Sequence, residues 1–283
     1  MKKDHEDFYQ QAVRQIEEIK VADPELSDAF EFYCSILIAQ REVSLSFQPD
    51  LCGFDAEVYL SRSSRGLPLI KAQDVAIDRS RLNELLENLC RIVQKRRGDV
   101  IPAGFEVTSL SDQERLLTKG VIENGAILQE MAVQAKIEYD VFQLIAEQAL
   151  SPFISRLAEE LAGHVDQSKW LRGYCPVCGK EPIMSKLEEE IGKRWLFCPF
   201  CHTEWLFKRL ACPFCENDNQ ESLRYFFVEN DEAHRVDVCD SCKRYIKTID
   251  SRQMNRGINL FVENLSTLAL DIVAQKEGFQ MSS

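Results

Sequence analysis

The sequence predicts an α+β fold, in which an all-helical domain is followed by two small four-cysteine ribbon modules and a C-terminal helix. Apolar residues recur at helical spacing through the first half of the chain. Beyond that half, short aromatic runs alternate with pairs of cysteines. The 283 residues suffice for about two domains. We place the helical domain at 1–165, the first ribbon module at 166–210, and the second module with the C-terminal helix at 211–283.

Start signals and apolar stripes define the predicted helices. Asp23 and Pro24 have the form of an N-cap followed by proline at the first helical position. Residues 82–93 form a clear amphipathic stripe, and residues 111–114 read S-x-x-E, the form of a capping box. Ser151 and Pro152 can cap and open a further helix, so we expect the chain to divide there. The two helices predicted around that point are 137–150 and 152–161, and the loop-like stretches are 48–74 and 98–109.

The sequence pattern of the second half predicts short strands and turns. Residues 194–197 and 204–207 are aromatic runs that suit short β-strands, with cysteine pairs as the turns between them. Near the end of the chain helical spacing returns, and Gly278 is a plausible C-terminal stop. The apolar residues of this predicted final helix are Val262, Leu265, Ala269, Ile272 and Val273.

The charge distribution excludes some classes of partner. The net charge is −12: residues 1–165 carry 18 Lys/Arg against 28 Asp/Glu, and residues 166–283 carry 16 against 18. The longest basic run is only Lys95-Arg96-Arg97, so nucleic acid is not expected as a partner. No stretch reaches the about 20 apolar residues of a membrane helix, and the N-terminus lacks the apolar core of a signal peptide. We therefore expect a cytoplasmic protein without stable membrane insertion.

The cysteines carry the most specific signal. Eight of the 11 form four Cys-x-x-Cys pairs, and in a cytosolic chain such clusters indicate metal before disulfides. Two residues between the cysteines let a tight turn aim both sulfurs at one point. Two such knuckles facing each other make a closed tetrahedron, the form of a structural zinc site or a rubredoxin-type iron site. The pairs are Cys175/Cys178, Cys198/Cys201, Cys212/Cys215 and Cys239/Cys242.

Eight thiolates imply two metal ions, zinc or iron, each in a four-cysteine site. The intervals between consecutive pairs are 19, 10 and 23 residues, and the longer two are near the length of a zinc-ribbon hairpin. We therefore group the first two pairs in one site and the last two in the other, while an interleaved arrangement stays open. Without metal, this region would have too little apolar core to fold.

The remaining candidate residues suggest no chemistry. His202 and His234 lie near the cysteines, but eight sulfurs already fill two tetrahedra. Cys34 and Cys90 sit on apolar helical stripes, where a buried core thiol is expected, and Cys52 precedes a glycine in a loop with nothing nearby to activate it. The sequence contains no phosphate-binding glycine loop, G-x-S-x-G or H-E-x-x-H motif. We predict no catalytic residues, and a protein that is not an enzyme.

An ordered set of motifs over roughly residues 170–275 resembles the FdhE family of formate dehydrogenase accessory proteins. The first motif is Leu-Arg-Gly-Tyr-Cys-Pro-Val-Cys-Gly at 171–179, with Pro182 after it and Trp205 beyond the second pair. The set continues with Cys-Asp-Ser-Cys at 239–242, Tyr245 and Lys247, and Asn-Leu-Ser-Thr-Leu-Ala-Leu-Asp at 264–271. The first half of the chain fits the family only in its helical character.

The resemblance implies a helical domain followed by two rubredoxin-like zinc-ribbon modules. It further implies a cytoplasmic maturation factor or chaperone that binds the catalytic subunit of a molybdenum- or tungsten-dependent formate dehydrogenase and is needed for its activity. Zinc or iron would occupy each site, and the family leaves that choice open. Homo-oligomerisation also stays open.

Two other functional hypotheses compete with that of a maturation factor. The main alternative is a rubredoxin-like electron-transfer or thiol redox protein, because four-thiolate iron sites can carry single electrons and Cys-x-x-Cys pairs can exchange disulfides. The pairs occur in fours, however, rather than as one motif on a βαβ unit. A general zinc-ribbon chaperone or transcription module ranks lower, because the chain has neither glycine-rich CxxCxGxG repeats nor a basic run of any length.

Overall fold

The computed structural model describes residues 7–22, 27–51, 55–228 and 231–281. The chain forms two compact units, the first of Met1–Phe54 and Ile70–Glu160, the second of Asp55–Leu69 and Leu161–Ser283. The predicted fold class is confirmed: a helical region precedes a mixed sheet, two cysteine clusters and final helices. Residues 55–69 lie in the second unit although they fall inside the predicted helical domain, whose boundaries remain a prediction.

Eight helices precede the sheet in the described part of the chain. They are α1 Phe8–Ala22, α2 Ser27–Ser46, α3 Ala56–Ser64, α4 Arg79–Arg97, α5 Thr108–Ser111, α6 Glu114–Ile122, α7 Gly125–Ala135 and α8 Tyr139–Leu161. The α3 helix lies in the second unit and occupies part of the stretch that resembled a loop in the sequence. The predicted helix start at Asp23 and Pro24 lies outside the described residues.

The α4 helix confirms the amphipathic stripe. The side chain of Asp78 caps it by accepting hydrogen bonds from the backbone N–H groups of Ser80 and Arg81, and Gly98 ends it at φ 73°. Its buried residues are Leu82, Leu85, Leu86, Leu89, Cys90 and Val93.

The predicted division at Ser151 and Pro152 is wrong, because α8 continues through both residues. Proline in a helix interior removes one backbone hydrogen bond and is normally disruptive. Here Leu150 and Phe153 on either side are fully buried, and Ser151 is itself buried. Burial of these neighbouring side chains in the first unit therefore outweighs the tendency of Pro152 to break the helix.

The predicted capping box at residues 111–114 is also wrong. Ser111 is the last residue of the short α5 helix, and its hydroxyl donates to the Thr108 carbonyl and to Asn83 Oδ1, each at 3.1 Å. A helix does begin at Glu114, but its N-cap is Gln113, without a side-chain cap. The Ser111 hydroxyl, which the S-x-x-E motif assigns to capping, instead forms a tertiary hydrogen bond to Asn83.

The sheet in the described residues has six strands. They are β1 Met184–Glu188, β2 Lys193–Phe197, β3 Glu204–Phe207, β4 Leu223–Val228, β5 Asp231–Cys239 and β6 Arg244–Asp250. The order is β3-β2-β1-β6-β5-β4, and every neighbouring pair is antiparallel except β1 with β6. The two ribbon modules are therefore two three-stranded antiparallel units that share one sheet through a parallel pairing, which the sequence did not predict.

Two helices follow the sheet where one was predicted: α9 Leu260–Ser266 and α10 Leu268–Lys276. The interruption at Thr267 changes which face is buried, so Leu270 and Ala274 are buried while Ile272 is 55% exposed. The predicted continuous stripe of Val262, Leu265, Ala269, Ile272 and Val273 is therefore wrong beyond its first two residues. Gly278 does follow the last helix, with φ 84°.

A buried ammonium group anchors this interruption. Lys247 Nζ donates to the Asn264 carbonyl at 2.7 Å and to Asp271 Oδ2 at 2.6 Å, and Tyr245 Oη donates to the other carboxylate oxygen of Asp271 at 2.9 Å. Residues of the motifs that carry the family resemblance thus meet in space. They fasten α9 and α10 to one face of the sheet.

Among the described residues, no helix combines the length and apolar character that crossing a membrane requires.

Candidate metal centres

The structure brings the eight motif cysteines together in two clusters of four. The first cluster comprises Cys175, Cys178, Cys198 and Cys201, and the second comprises Cys212, Cys215, Cys239 and Cys242. Within each cluster all sulfur atoms lie within 4.8 Å of one another. The sequential grouping is therefore the one that the fold adopts, rather than the interleaved arrangement.

The first cluster is fully buried. Cys175 Sγ lies 3.5 Å from Cys201 Sγ, and Cys178 Sγ lies 3.4 Å from Cys198 Sγ, so each sulfur of one knuckle faces a sulfur of the other. The relative exposure of the four residues is at most 3%. Thr203 Oγ1 lies 3.1 Å from Cys201 Sγ and gives this sulfur a polar neighbour.

The second cluster has the same arrangement nearer to solvent. Cys212 Sγ lies 3.6 Å from Cys242 Sγ, and Cys215 Sγ lies 3.7 Å from Cys239 Sγ. Cys215 is exposed, whereas Cys212 and Cys239 are buried. The backbone N–H of Phe214 donates to Cys212 Sγ at 3.4 Å.

All four knuckles share one backbone conformation. In each, the N–H of the residue after the second cysteine donates to the carbonyl of the first cysteine, at 2.8–3.1 Å. That donor residue is left-handed in every case, with φ between 56° and 81°. The four are Gly179, His202, Glu216 and Lys243. Three are not glycine, so the tight turn is imposed at some local cost, which favours a role for the sulfur positions it fixes.

Burial makes the thiolate form of these sulfurs costly unless a cation lies beside them. Burial raises the pKa of Cys178 and Cys198 well above the usual range of a thiol. Burial also acts on Cys239, but backbone N–H groups of Cys242 and Ser241 outweigh it and lower the pKa of Cys239 to about 7. Donors are thus aimed at sulfur in a site where four free thiolates would repel one another.

The spacing of the sulfurs fits tetrahedral coordination. A metal–sulfur bond of about 2.3 Å gives a tetrahedron with edges of about 3.8 Å. The facing sulfur pairs, at 3.4–3.7 Å, lie slightly inside that value. Each cluster could therefore hold one metal ion with four sulfur ligands.

Gly173, two residues before Cys175, lies against the first knuckle of the second cluster. A Cβ at this position would come within 1.6 Å of the Pro213 carbonyl oxygen, in the first knuckle of the second cluster. Only glycine permits this contact between the segment before Cys175 and the turn after Cys212. The glycine in the first motif therefore has a packing role that the sequence alone does not show.

Segment 55–69 packs on the first knuckle. The N–H of Leu69 donates to the Pro176 carbonyl at 2.9 Å, and Tyr174 Oη donates to the Gly66 carbonyl at 2.6 Å. Trp205 is fully buried beside this region, and its indole N–H donates to the Arg172 carbonyl at 2.9 Å. These contacts hold residues of the first motif in place.

The other candidate residues are not among the cysteine ligand groups. His202 stacks on Phe197, while His234 bridges Asp231 and Glu263, and neither joins a group of potential metal ligands in the described chain. Cys34 and Cys90 are buried, and burial raises the pKa of each thiol to about 11. Cys52 lies outside the described residues.

Comparison with known proteins places both clusters inside recognised domains. The family model described as FdhE, central domain, matches residues 174–209, and that described as FdhE, C-terminal domain, matches residues 210–283. Each matched segment contains one complete cluster of four cysteines. Both family models, the FdhE relatives and the FdhE crystal structure described below support the FdhE family for this chain. The resemblance seen in the sequence is thereby confirmed.

The similarity to FdhE proteins extends beyond these two segments. An FdhE homolog of Aquifex aeolicus is 28% identical over 259 residues, 90% of this chain and 83% of that protein. Protein FdhE of Salmonella paratyphi A is 34% identical over 115 residues, which are 40% of this chain and 36% of that protein. The crystal structure of the FdhE protein from Pseudomonas aeruginosa, at 19% identity, covers 98% of this chain and 94% of that one with a TM-score of 0.68, which shows a common fold.

Proposed function

We propose that the eight clustered cysteines bind two metal ions, zinc or iron, one in each cluster. The sulfur spacing, the four identical knuckles and the donors aimed at sulfur support this assignment. Bound metal would supply a rigid cross-link between hairpins that are too small to be stable alone. Four sulfur ligands leave no open position for a substrate, as in structural rather than catalytic sites.

The protein acts, in this proposal, as a cytoplasmic accessory factor that binds the catalytic subunit of a molybdenum- or tungsten-dependent formate dehydrogenase and is needed for its activity. Similarity to the FdhE family supports an accessory role for formate dehydrogenase, and it is the observation on which the proposal rests. A role in binding, without an enzymatic reaction, is consistent with sites whose ligand positions are all filled by sulfur. The cross-linked sheet would present a fixed surface to the catalytic subunit.

A deletion experiment tests this function. Formate-dependent dye reduction is measured in host extracts with the gene intact and deleted, at matched amounts of dehydrogenase catalytic subunit. Loss of activity with the subunit still present is expected, and re-expression of the intact gene should restore it. Unchanged activity would contradict the accessory role.

One feature favours electron transfer as a second candidate. Cys215 brings the second cluster to the surface, where an iron ion could exchange electrons with a partner. The visible spectrum of the purified protein separates the two candidates. A reversible absorption change on reduction supports electron transfer, whereas a colourless zinc protein excludes it.

A further inference from the structure

We propose that the outer edge of β4, with the arginine-lined pocket beside it, is a docking site for an extended acidic segment of the formate dehydrogenase catalytic subunit. This inference rests on the proposed function and adds the surface and the kind of segment that it binds. Three features carry it: an edge strand, exposed aromatic side chains on that strand, and a concentration of guanidinium groups beside it.

The β4 strand lies at one end of the sheet and pairs only with β5 among the described strands. The backbone N–H of Asp240 donates to the Ser222 carbonyl at 2.9 Å, so these two residues form a hydrogen-bonded pair. Hydrogen-bonded and non-hydrogen-bonded pairs alternate along antiparallel strands, so the pairs that contain Tyr225 and Phe227 are not hydrogen-bonded to β5. The backbone groups of Tyr225 and Phe227 therefore face outward. Such an edge accepts a further strand by main-chain hydrogen bonding.

Aromatic side chains on this strand are exposed. Tyr225 is 58% exposed and Phe227 is 49% exposed, and their rings meet edge to face with centroids 5.4 Å apart. Between them, Phe226 points to the opposite face and packs against the buried core of Val236 and Val238. Large exposed aromatic residues at a strand edge are typical of interfaces, and a soluble protein normally avoids them.

The adjacent pocket has a volume of about 320 Å³ and an unusual charge. Among the described residues, its lining includes one carboxylate, that of Asp237, and two cysteines of the second cluster, Cys212 and Cys239. It also includes five arginines: Arg194, Arg209, Arg224, Arg235 and Arg244. The chain as a whole carries a net charge of −12, so this concentration of positive groups stands out.

Two of these arginines already have carboxylate partners. Arg194 pairs with Asp237 at 3.2 Å, and Arg244 pairs with Glu181. Their charges are therefore partly neutralised within the protein.

Of the three remaining arginines in the pocket lining, Arg224 and Arg235 also pair with carboxylates, and Arg209 is the most available to a partner. Arg209 donates to the neutral Ile191 carbonyl at 2.7 Å and has no carboxylate partner within the described residues. Arg224 pairs with Asp240, yet its side chain is 59% exposed. Arg235 pairs with Asp237 at 3.0 Å and stacks over the ring of Tyr225, at 4.8 Å, which joins the pocket to the aromatic edge. Acidic side chains on an added strand would complement this surface, and a basic segment would be repelled.

The test measures binding of the purified catalytic subunit of the host formate dehydrogenase to the full-length, metal-loaded protein. Biolayer interferometry compares the wild type with Phe227→Ala and Arg209→Gln. The control variants are Val133→Ala, 72% exposed on α7, and Arg115→Gln, whose side chain is 92% exposed on α6. We expect each docking-site variant to raise Kd by roughly tenfold, as loss of one interface anchor does, and each control to change it less than about twofold.

The outcomes separate the two proposals. If the wild type does not bind the subunit, both the proposed function and the docking site are overturned. If the wild type binds and both docking-site variants bind equally well, only the docking site is overturned. If Arg209→Gln alone weakens binding and inorganic phosphate competes, the pocket is a site for small oxyanions and the strand-addition proposal is wrong.

Discussion

Arg194 on β2 and Asp237 on β5 form a buried ion pair that links the two ribbon modules, with Nη2 and Oδ2 3.2 Å apart. The same guanidinium donates to the Ala211 carbonyl at 3.0 Å, directly before Cys212. Thr248 donates to the same Asp237 oxygen at 2.6 Å, and its hydroxyl lies 2.6 Å from that of Ser185. Strands of both modules therefore share one polar network beside the second cluster.

Replacing Asp237 with asparagine should destabilise this region. The substitution leaves Arg194, whose side chain is only 4% exposed, without a charged partner, and breaking a buried pair of this kind costs about 3 kcal/mol. Urea unfolding followed by tryptophan fluorescence measures the change. The control is Asp28→Asn, which removes an ion pair with Arg96 at a 79% exposed carboxylate and should cost less than about 1 kcal/mol. Equal effects of the two substitutions would contradict this prediction.

Removing one ligand should remove one metal ion. We expect Cys198→Ser and Cys215→Ser each to lower the metal content from two ions per chain to one, because the clusters share no cysteine. Cys198→Ser should lower the melting temperature more, since Cys198 is fully buried and Cys215 is exposed. Elemental analysis of the purified proteins and thermal unfolding provide the two readouts. Cys34→Ala, outside both clusters, should keep two ions, and a loss of metal there would contradict the assignment.

Gly173→Ala should be strongly destabilising. The added methyl group would meet the Pro213 carbonyl oxygen at 1.6 Å, so the backbone beside both clusters must move apart. We expect the unfolding free energy to fall by at least about 3 kcal/mol, or the soluble protein to be lost altogether. Gly163→Ala is the matched control, because a Cβ there would meet nothing within 4 Å. Normal yield and stability of Gly173→Ala would show that the contact is not tight in solution.

The contribution of His234 to stability should depend on pH. Burial by itself lowers the pKa of His234, but hydrogen bonds to Glu263 and Asp231 outweigh it, so the net pKa is raised. The unfolded-state pKa of histidine is about 6.5. Because the folded-state pKa is higher, His234 contributes its full stabilisation below a pH of about 6.5, and this stabilisation is lost as pH rises through the folded-state pKa. His234→Gln should therefore cost more unfolding free energy at pH 6 than at pH 9. Denaturant titrations of both proteins at each pH measure this, and an equal cost at the two values would refute it.

Local patterns predicted the parts of the fold that local interactions decide. Leu82 and Val93 lie on a stripe whose helix forms as expected, and the aromatic runs 194–197 and 204–207 lie in β2 and β3. The cysteine spacing predicted both clusters, because a short knuckle fixes the direction of its two sulfurs. Signals for the left-handed residues after three of the four knuckles were absent, since His202, Glu216 and Lys243 are not residue types that mark such turns.

Other features depended on contacts between distant residues. Pro152 continues in a helix because its buried neighbours outweigh the missing hydrogen bond, and Ser111 forms a tertiary hydrogen bond instead of a cap. The break at Thr267 is anchored by Lys247, from a strand 20 residues earlier in the chain. No window of sequence contains both partners of such a contact.

The sequence by itself determined the order of helical and cysteine-rich regions, the eight candidate ligands and the resemblance to the FdhE family, because these follow from residue type and spacing along the chain. Only the tertiary structure decided that β1 and β6 pair in parallel, that Arg194 meets Asp237, and that one cluster is buried while the other reaches solvent. The physical reason is that strand pairing and burial are set by the packing of segments far apart in the chain. Residue spacing, which positions the two sulfurs of one knuckle, does not determine which strands then share a sheet.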